Sequence, residues 1–328
     1  MITRRKIVLA LGAGALAPFA VFAQQPKVWR VGFLSQRHVE FVDADDYYGP
    51  FTQGMRELGY VVGKNLVIEW RSAEGKSERL AELAVELVRL KVDVLVTAGT
   101  PASVAVQKAT TAIPIVMITV GDPVGTGLVK SLARPGGNIT GPSTMNTELA
   151  PKRLEMLRSM VPKVTRVAVL VNSANAGNAA ELRYIQAAAQ KVGVKIQSVE
   201  ASAPQEIANG FAVMAHQKAG ALIVPRDALF NQQKNQIVEL AAKHRLPSIG
   251  GYGECVQAGG LMSFGQNVWE IPRRAATYVD KIFKGANPGD IPVEQPTTFE
   301  LFINRKTANA LGLKIPNAML VQATKIIE

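Results

Sequence analysis

Six short stretches of the chain hold residues whose types and spacing could do chemistry. "TAGTPAS" (97–103) follows an apolar run that ends at Val96. Thr100 fits a helix N-cap there, with Pro101 at the first helical position, where a missing N–H costs nothing. The next free N–H groups, with the hydroxyls of Thr97, Thr100 and Ser103 beside Gly99, suit a small anion such as a carboxylate. The same residues equally suit an ordinary capped helix. "PRDALF" (225–230) offers an acid and a ring. Asp227 can accept hydrogen bonds from a ligand ammonium or serve only as a helix N-cap, and Phe230 can supply an apolar wall. "VNSANAG" (171–177) contributes Asn172, Ser173 and Asn175 as uncharged donors and acceptors, and "GGYGE" (250–254) sets Tyr252 beside flexible backbone. Ser35 and Gln36 end the first apolar run, and Asp122 is the acid of the glycine-rich stretch 118–141. Aromatic rings with a few convergent polar groups suit a small-molecule pocket.

Enzyme chemistry finds little support. The histidines are His38, His216 and His244, and none has a metal-binding spacing such as H-E-x-x-H. No G-x-S-x-G elbow is present. "EGKSE" (74–78) imitates the end of a phosphate loop, but Trp70 stands where that loop requires its first glycine. No G-x-G-x-x-G follows the first strand, so no nucleotide cofactor is expected, nor any other cofactor or metal. Asn138-Ile139-Thr140 matches a glycosylation acceptor, which carries little meaning in a bacterial chain.

These loops sit between alternating apolar and amphipathic segments. Strands are expected at 28–34, 65–70, 92–96 and 113–118, with helices at 51–59, 101–109 and 125–133. A further helix starts from Ser77 as N-cap and carries Leu80, Leu83, Ala84, Leu87 and Leu90 on one face. This β-α-β-α order implies a parallel sheet covered by helices. The pattern restarts at Arg166, with strands at 166–171, 195–199, 221–224 and 247–249 and helices at 179–192, 204–217 and 230–244. Segment 89–118 and segment 216–250 follow one plan of strand, polar loop, helix and a proline-opened strand. The match pairs loop 97–101 with 225–229 and loop 119–123 with 250–254. The fold class is therefore α/β, with two doubly wound parallel-sheet lobes. Ligands of open α/β sheets bind outside the carboxyl ends of the strands, so the paired loops should form opposite walls of one cleft. Within 118–141, Thr119 to Pro123 faces that cleft. "RPGGNITG" (134–141) is a turn and last strand leading to a hinge at Ser143 and Thr144.

The chain has 328 residues, 48% hydrophobic and 19% charged, enough for two ordinary globular domains. Arg4-Arg5-Lys6 followed by the uncharged run from Ile7 to Phe22 and by Val21-Phe22-Ala23 reads as a signal peptide, residues 1–23. Its route is Sec or twin-arginine, since Thr3 to Leu9 also fits the latter pattern loosely. Cys255 is the single cysteine, so there is no lipoprotein anchor, no internal disulfide and no cysteine-based zinc site. The mature protein is expected free in the periplasm, as a monomer. The formal charge is +11, and removing Arg4, Arg5 and Lys6 lowers it to +8. The basic residues are scattered among acids without interleaved aromatics, which excludes nucleic acid as a partner.

Longer segments carry a family resemblance. "VDVLVTAGTPASVAVQKAT", "IPIVMITVGDPVGTGLVKSLARPGGNITG", "KRLEMLRSMVPKVTRVAVLVN", "ELAAKHRLPSIGGYGECVQAGGLMSFG" and "RRAATYVDKIFKGANPGDIPVEQPTTFELFINRKTANALGL" occur in this order. From about residue 27 to the C-terminus the chain resembles the ABC-transporter substrate-binding protein family that includes tryptophan-binding-type proteins. The resemblance implies a type I periplasmic-binding-protein fold, a Venus-flytrap whose two lobes are joined by three hinge crossings and close over a small ligand. It places the crossings near 143, 262 and 290. Lobe 1 is then 27–143 plus 262–290, and lobe 2 is 144–261 plus 291–328. It further implies no catalysis and a solute-binding role: delivery of a small molecule, such as an amino acid or related carboxylate, to an ABC permease in the inner membrane. A periplasmic ligand sensor that partners a membrane receptor would share the fold. By position in the family, a ligand carboxylate would meet the 97–103 loop and an ammonium would meet Asp227. The tryptophan-type pattern has a polar residue after that aspartate; Ala228 stands there in this chain.

Overall fold

The computed structural model describes residues 27–37, 49–267 and 270–328. The signal segment and His38 lie outside the described residues. The first lobe opens with β1 (Trp29–Ser35), α1 (Gly49–Glu57), β2 (Leu66–Ser72), α2 (Leu80–Arg89) and β3 (Val94–Ala98). It continues with α3 (Thr100–Ala109), β4 (Ile115–Ile118) and β5 (Ile139–Thr140). The second lobe runs through α4 (Asn146–Met160), β6 (Arg166–Val171), α5 (Ala176–Lys191), β7 (Lys195–Glu200), α6 (Pro204–His216) and β8 (Ala221–Val224). It goes on through α7 (Ala228–Gln232), α8 (Lys234–Lys243), β9 (Ser248–Gly250), α9 (Gly253–Gln257) and β10 (Met262–Gln266). The C-terminal part holds α10 (Glu270–Phe283), β11 (Phe299–Asn304), α11 (Arg305–Ala310), α12 (Asn317–Gln322) and β12 (Lys325–Ile327).

The first sheet has the order β2-β1-β3-β4-β5 and is parallel throughout. The second has the order β12-β11-β10-β9-β8-β6-β7, and only β10 and β11 pair antiparallel. Starting from β6, its first five strands repeat the arrangement of the first sheet: the second strand lies on one side of the first, and the third on the other. Each lobe therefore has a topological switch point, between β1 and β3 and between β6 and β8, where α/β sheets bind ligands.

Burial explains why these segments become central strands. All five residues of β3 are buried, as are the last five of β6, because helices cover both faces of each sheet. In the first lobe, Val31, Phe33, Val94 and Val96 face α1 and α10, while Leu34, Leu95 and Met117 face α2 and α3. In the second, Val167, Val169 and Ile223 face α4 and α5, while Ala168, Leu170 and Leu222 face α6 and α8. Leu80, Leu83, Ala84 and Leu87 form the buried stripe of α2, at helical spacing.

Four differences from expectation matter. Residues 125–133 form turns, not a helix. Gly125 and Gly127 weaken helix propagation there, and Leu128 and Val129 both donate backward to the Pro123 carbonyl. Segment 230–244 divides into α7 and α8. Gly99, at φ 91°, occupies the N-cap of α3, so Thr100 is its first helical residue. Ser77 opens a single 3₁₀ turn, Ser77–Arg79, ahead of α2.

The first connection between lobes lies between β5 and α4, and the other two lie later than expected. β10 is a strand of the second sheet, in register with Ile249 and with Leu301 to Ile303, so residues 262–266 do not belong to the first lobe. α10 then packs on β1 and α1, with Ile271, Ala275 and Val279 in that core. Ile291 and Val293 still pack in the first lobe, and Ser143 N–H donates to the Glu294 carbonyl at 2.9 Å. The chain re-enters the second sheet only at Phe299.

Candidate functional site

The two lobes meet along the carboxyl ends of their strands. A Cβ at Gly177 would lie 3.1 Å from Thr100 Oγ1, one at Gly75 would lie 2.9 Å from Gln232 Oε1, and one at Gly121 would lie 3.3 Å from Asn146 Cβ. Between these contacts is a cavity of about 60 Å³. The first lobe lines it with Gln36, Arg37, Ala98 to Pro101, Thr119 and Gly121. The second lines it with Asn146, Thr147, Asn175, Gly177, Glu181, Arg226 to Ala228 and Tyr252. Gln36, Gly99, Asn175 and Asp227 follow β1, β3, β6 and β8, the strands that flank the two switch points.

On the first wall, Gln36 donates to Ser77 Oγ at 2.7 Å, which fixes its amide. Ser35 is buried behind it, and its Oγ accepts the Arg37 N–H at 3.0 Å. Thr97 and Ser103 are fully buried and hydrogen-bond each other at 2.8 Å, while Ser103 also donates to the Gly99 carbonyl. These two hydroxyls thus hold the loop together and lie one layer behind the cavity. Thr119 lines it with φ 60°, a left-handed conformation that a β-branched residue rarely adopts. Asp122 is not among the lining residues; its Oδ1 accepts the Gly125 N–H at 2.7 Å and holds a turn.

The second wall carries the buried charge. Asp227 is the N-cap of α7, and its Oδ1 accepts the Leu229 N–H at 2.8 Å. Asn175 donates to Oδ2 at 2.7 Å, and Asn172 donates to both oxygens at 3.2 Å. These bonds use about the four lone-pair sites a carboxylate has. Burial pushes the Asp227 carboxyl upward, against the downward pull of the Asn175 and Asn172 amides and the Leu229 N–H. Asn172 is thereby a support behind the wall. Ser173 is exposed and pairs with Ser202 at 3.0 Å, away from the cavity. Phe230 is 1% exposed in the core beneath α6 and α8 and forms no pocket wall.

A second set of charges was not legible from loop positions. Arg153 on α4 is fully buried, pairs with Glu181 on α5, and donates to the Phe264 carbonyl at 2.9 Å. Burial pushes the Glu181 carboxyl upward while Arg153 opposes that shift. Arg226 is 6% exposed and stacks over the Tyr252 ring at 4.2 Å. Burial likewise raises the Tyr252 phenol, with the Arg226 and Arg37 charges pulling the other way. Arg226 stood beside Asp227 in the sequence, but its burial depends on tertiary packing that a loop motif does not encode.

Of the thirteen candidate residues, Gln36, Gly99, Thr100, Pro101, Asp227 and Tyr252 line one cavity. Ser35, Thr97, Ser103 and Asn172 lie directly behind its walls, and Asp122, Ser173 and Phe230 serve elsewhere. Among the described residues, no group of three His, Cys, Asp or Glu could hold a metal ion, and no helix is long and apolar enough to cross a membrane.

Comparison with known proteins adds a family to this geometry. Residues 38–327 match the model of a family described as ABC transporter substrate binding protein. A protein of Clostridioides difficile (strain R20291) named tyrosine-binding protein is 28% identical over 276 residues, 84% of this chain and 79% of that protein. The crystal structure of a conserved domain protein from Vibrio cholerae superposes with a TM-score of 0.85 at 28% identity, covering 92% of this chain and 100% of that one. An ABC domain from Streptococcus pneumoniae, solved in complex with L-Trp, gives 0.83 at 28% identity, covering 91% and 99%.

Proposed function

The chain belongs to the ABC transporter substrate binding protein family, and from that premise we propose that it captures an amino acid or a related carboxylate between its lobes and delivers it to an ABC permease. The observation that carries this reading is the cavity walled by both lobes at the carboxyl ends of β1, β3, β6 and β8. A ligand there touches both lobes at once, so it favours the closed arrangement by contacts that the open one lacks. The ligand class follows from relatives named for tyrosine and solved with L-Trp. Gln36, Gly99, Thr100, Pro101 and Tyr252 contact the solute in this reading. Ser35, Thr97, Ser103, Asn172 and Asp227 hold those contacts in place. The protein works in the periplasm as a monomer after loss of residues 1–23, and it changes no bond of its ligand.

Thermal unfolding of the chain from residue 24, with L-tryptophan, L-tyrosine, the other amino acids and related carboxylates, tests this. Ligand at 100 times its Kd stabilises a native state by about 2.7 kcal/mol. That raises Tm by roughly 4 °C in a chain of about 300 residues. A dose-dependent rise of that order with at least one amino acid is expected. No rise with any solute of the panel, together with turnover of an ester or amide, would overturn the reading.

A further inference from the structure

Arg226 lies in the cavity wall, 6% exposed, and its Nη1 is buried without a hydrogen-bond partner among the described residues. An Nη1 left this way is costly, because it has lost water and gained no hydrogen-bond partner. The nearby acids are already engaged: Glu181 with Arg153, and Asp227 with Asn172, Asn175 and the Leu229 N–H. The side chain is nevertheless firmly seated. Its Cγ lies where a Cβ at Gly251 would come within 2.3 Å, so only a glycine leaves room for its stem. The Tyr252 ring supports the guanidinium at 4.2 Å. A pre-placed, desolvated guanidinium with one nitrogen still lacking a partner fits the forked geometry of a carboxylate. The opposite wall is less suited, because the Thr97 and Ser103 hydroxyls are spent on each other and on the Gly99 carbonyl.

We propose that Arg226 is the anion-reading residue of the cleft and takes the ligand's carboxylate on the second lobe, reversing the orientation in which the 97–103 loop would hold it. This inference rests on the reading of the cleft as the solute site. Calorimetric titration tests it with L-tryptophan, L-tyrosine, tryptophanamide, tryptophan methyl ester and indole-3-propionate, the last a carboxylate without an ammonium. The acids are expected to bind at least about 100-fold more tightly than the amide and ester. R226M should abolish that preference, weakening the acids far more than the amide. G251A, which pushes the stem aside, should weaken the acids in the same sense. Equal binding of acid and amide overturns the Arg226 assignment and leaves the solute-binding role standing. Binding of uncharged solutes alone overturns both the assignment and the amino-acid reading. Failure of every compound to bind removes the amino-acid reading and the carboxylate assignment with it. The acid–amide comparison on the parent chain holds even if a variant fails to fold.

Discussion

Glu181 sits 3% exposed at its side chain against an Arg153 that is fully buried. Breaking such a pair leaves an uncompensated buried charge and costs about 3–5 kcal/mol, whereas removing both charges is often neutral. Glu181→Gln should therefore lower the urea midpoint strongly, and R153M/E181L should recover most of the loss. Equal damage from the single and double variants would show that the pair is not the feature being read. Residues of this kind explain what loop reading reached. Gln36, Gly99, Thr100, Pro101, Asp227 and Tyr252 follow strands directly, so a strand-end rule finds them. Glu181 lies inside α5 and meets a partner 28 residues away on α4. No local spacing signals that pair. Phe230 illustrates the reverse: a ring beside a loop acid reads as a pocket wall, yet α6 and α8 enclose it as core.

Among the elements, the short β5 and the turn after it set the first passage between lobes. Gly141 has φ 133°, and a Cβ there would lie 2.3 Å from the Met117 carbonyl oxygen. Gly141→Ala should destabilise by about 1–3 kcal/mol or more, because backbone strain adds to the clash. Gly137→Ala, where a Cβ would meet nothing within 4 Å, is the control and should leave Tm nearly unchanged. A tolerated Gly141→Ala would contradict the close packing of β4 and β5. The regular elements were the most legible, since buried parallel strands read as continuous apolar runs such as "VLV" at 94–96. The stretch 125–133 was not. Its apolar residues have helical spacing, but Leu128 and Val129 are buried by folding back as turns around Pro123, next to two glycines. Periodicity cannot separate these outcomes.

For the whole molecule, the repeated plan of 89–118 and 216–250 made two similar lobes legible, and the two sheets share the same order around β1 and β6. The exchange of chain between lobes was not legible from periodicity. α10 is an amphipathic helix whose apolar face, with Ile271, Ala275 and Val279, would suit either core. The register of β10 with Ile249 and of β11 with β10 decides where the chain crosses, and pairing over such distances leaves no local trace. Function also depends on the whole molecule, because a solute held by both lobes must tie them together.

Hydrogen exchange followed by mass spectrometry, with and without a solute that raises Tm, reads that coupling directly. Amides of 97–103 in the first lobe and of 226–232 and 250–254 in the second should slow together on addition of solute, with the same dependence on its concentration. Protection confined to one lobe, or to surfaces away from these loops, would contradict capture in the cleft.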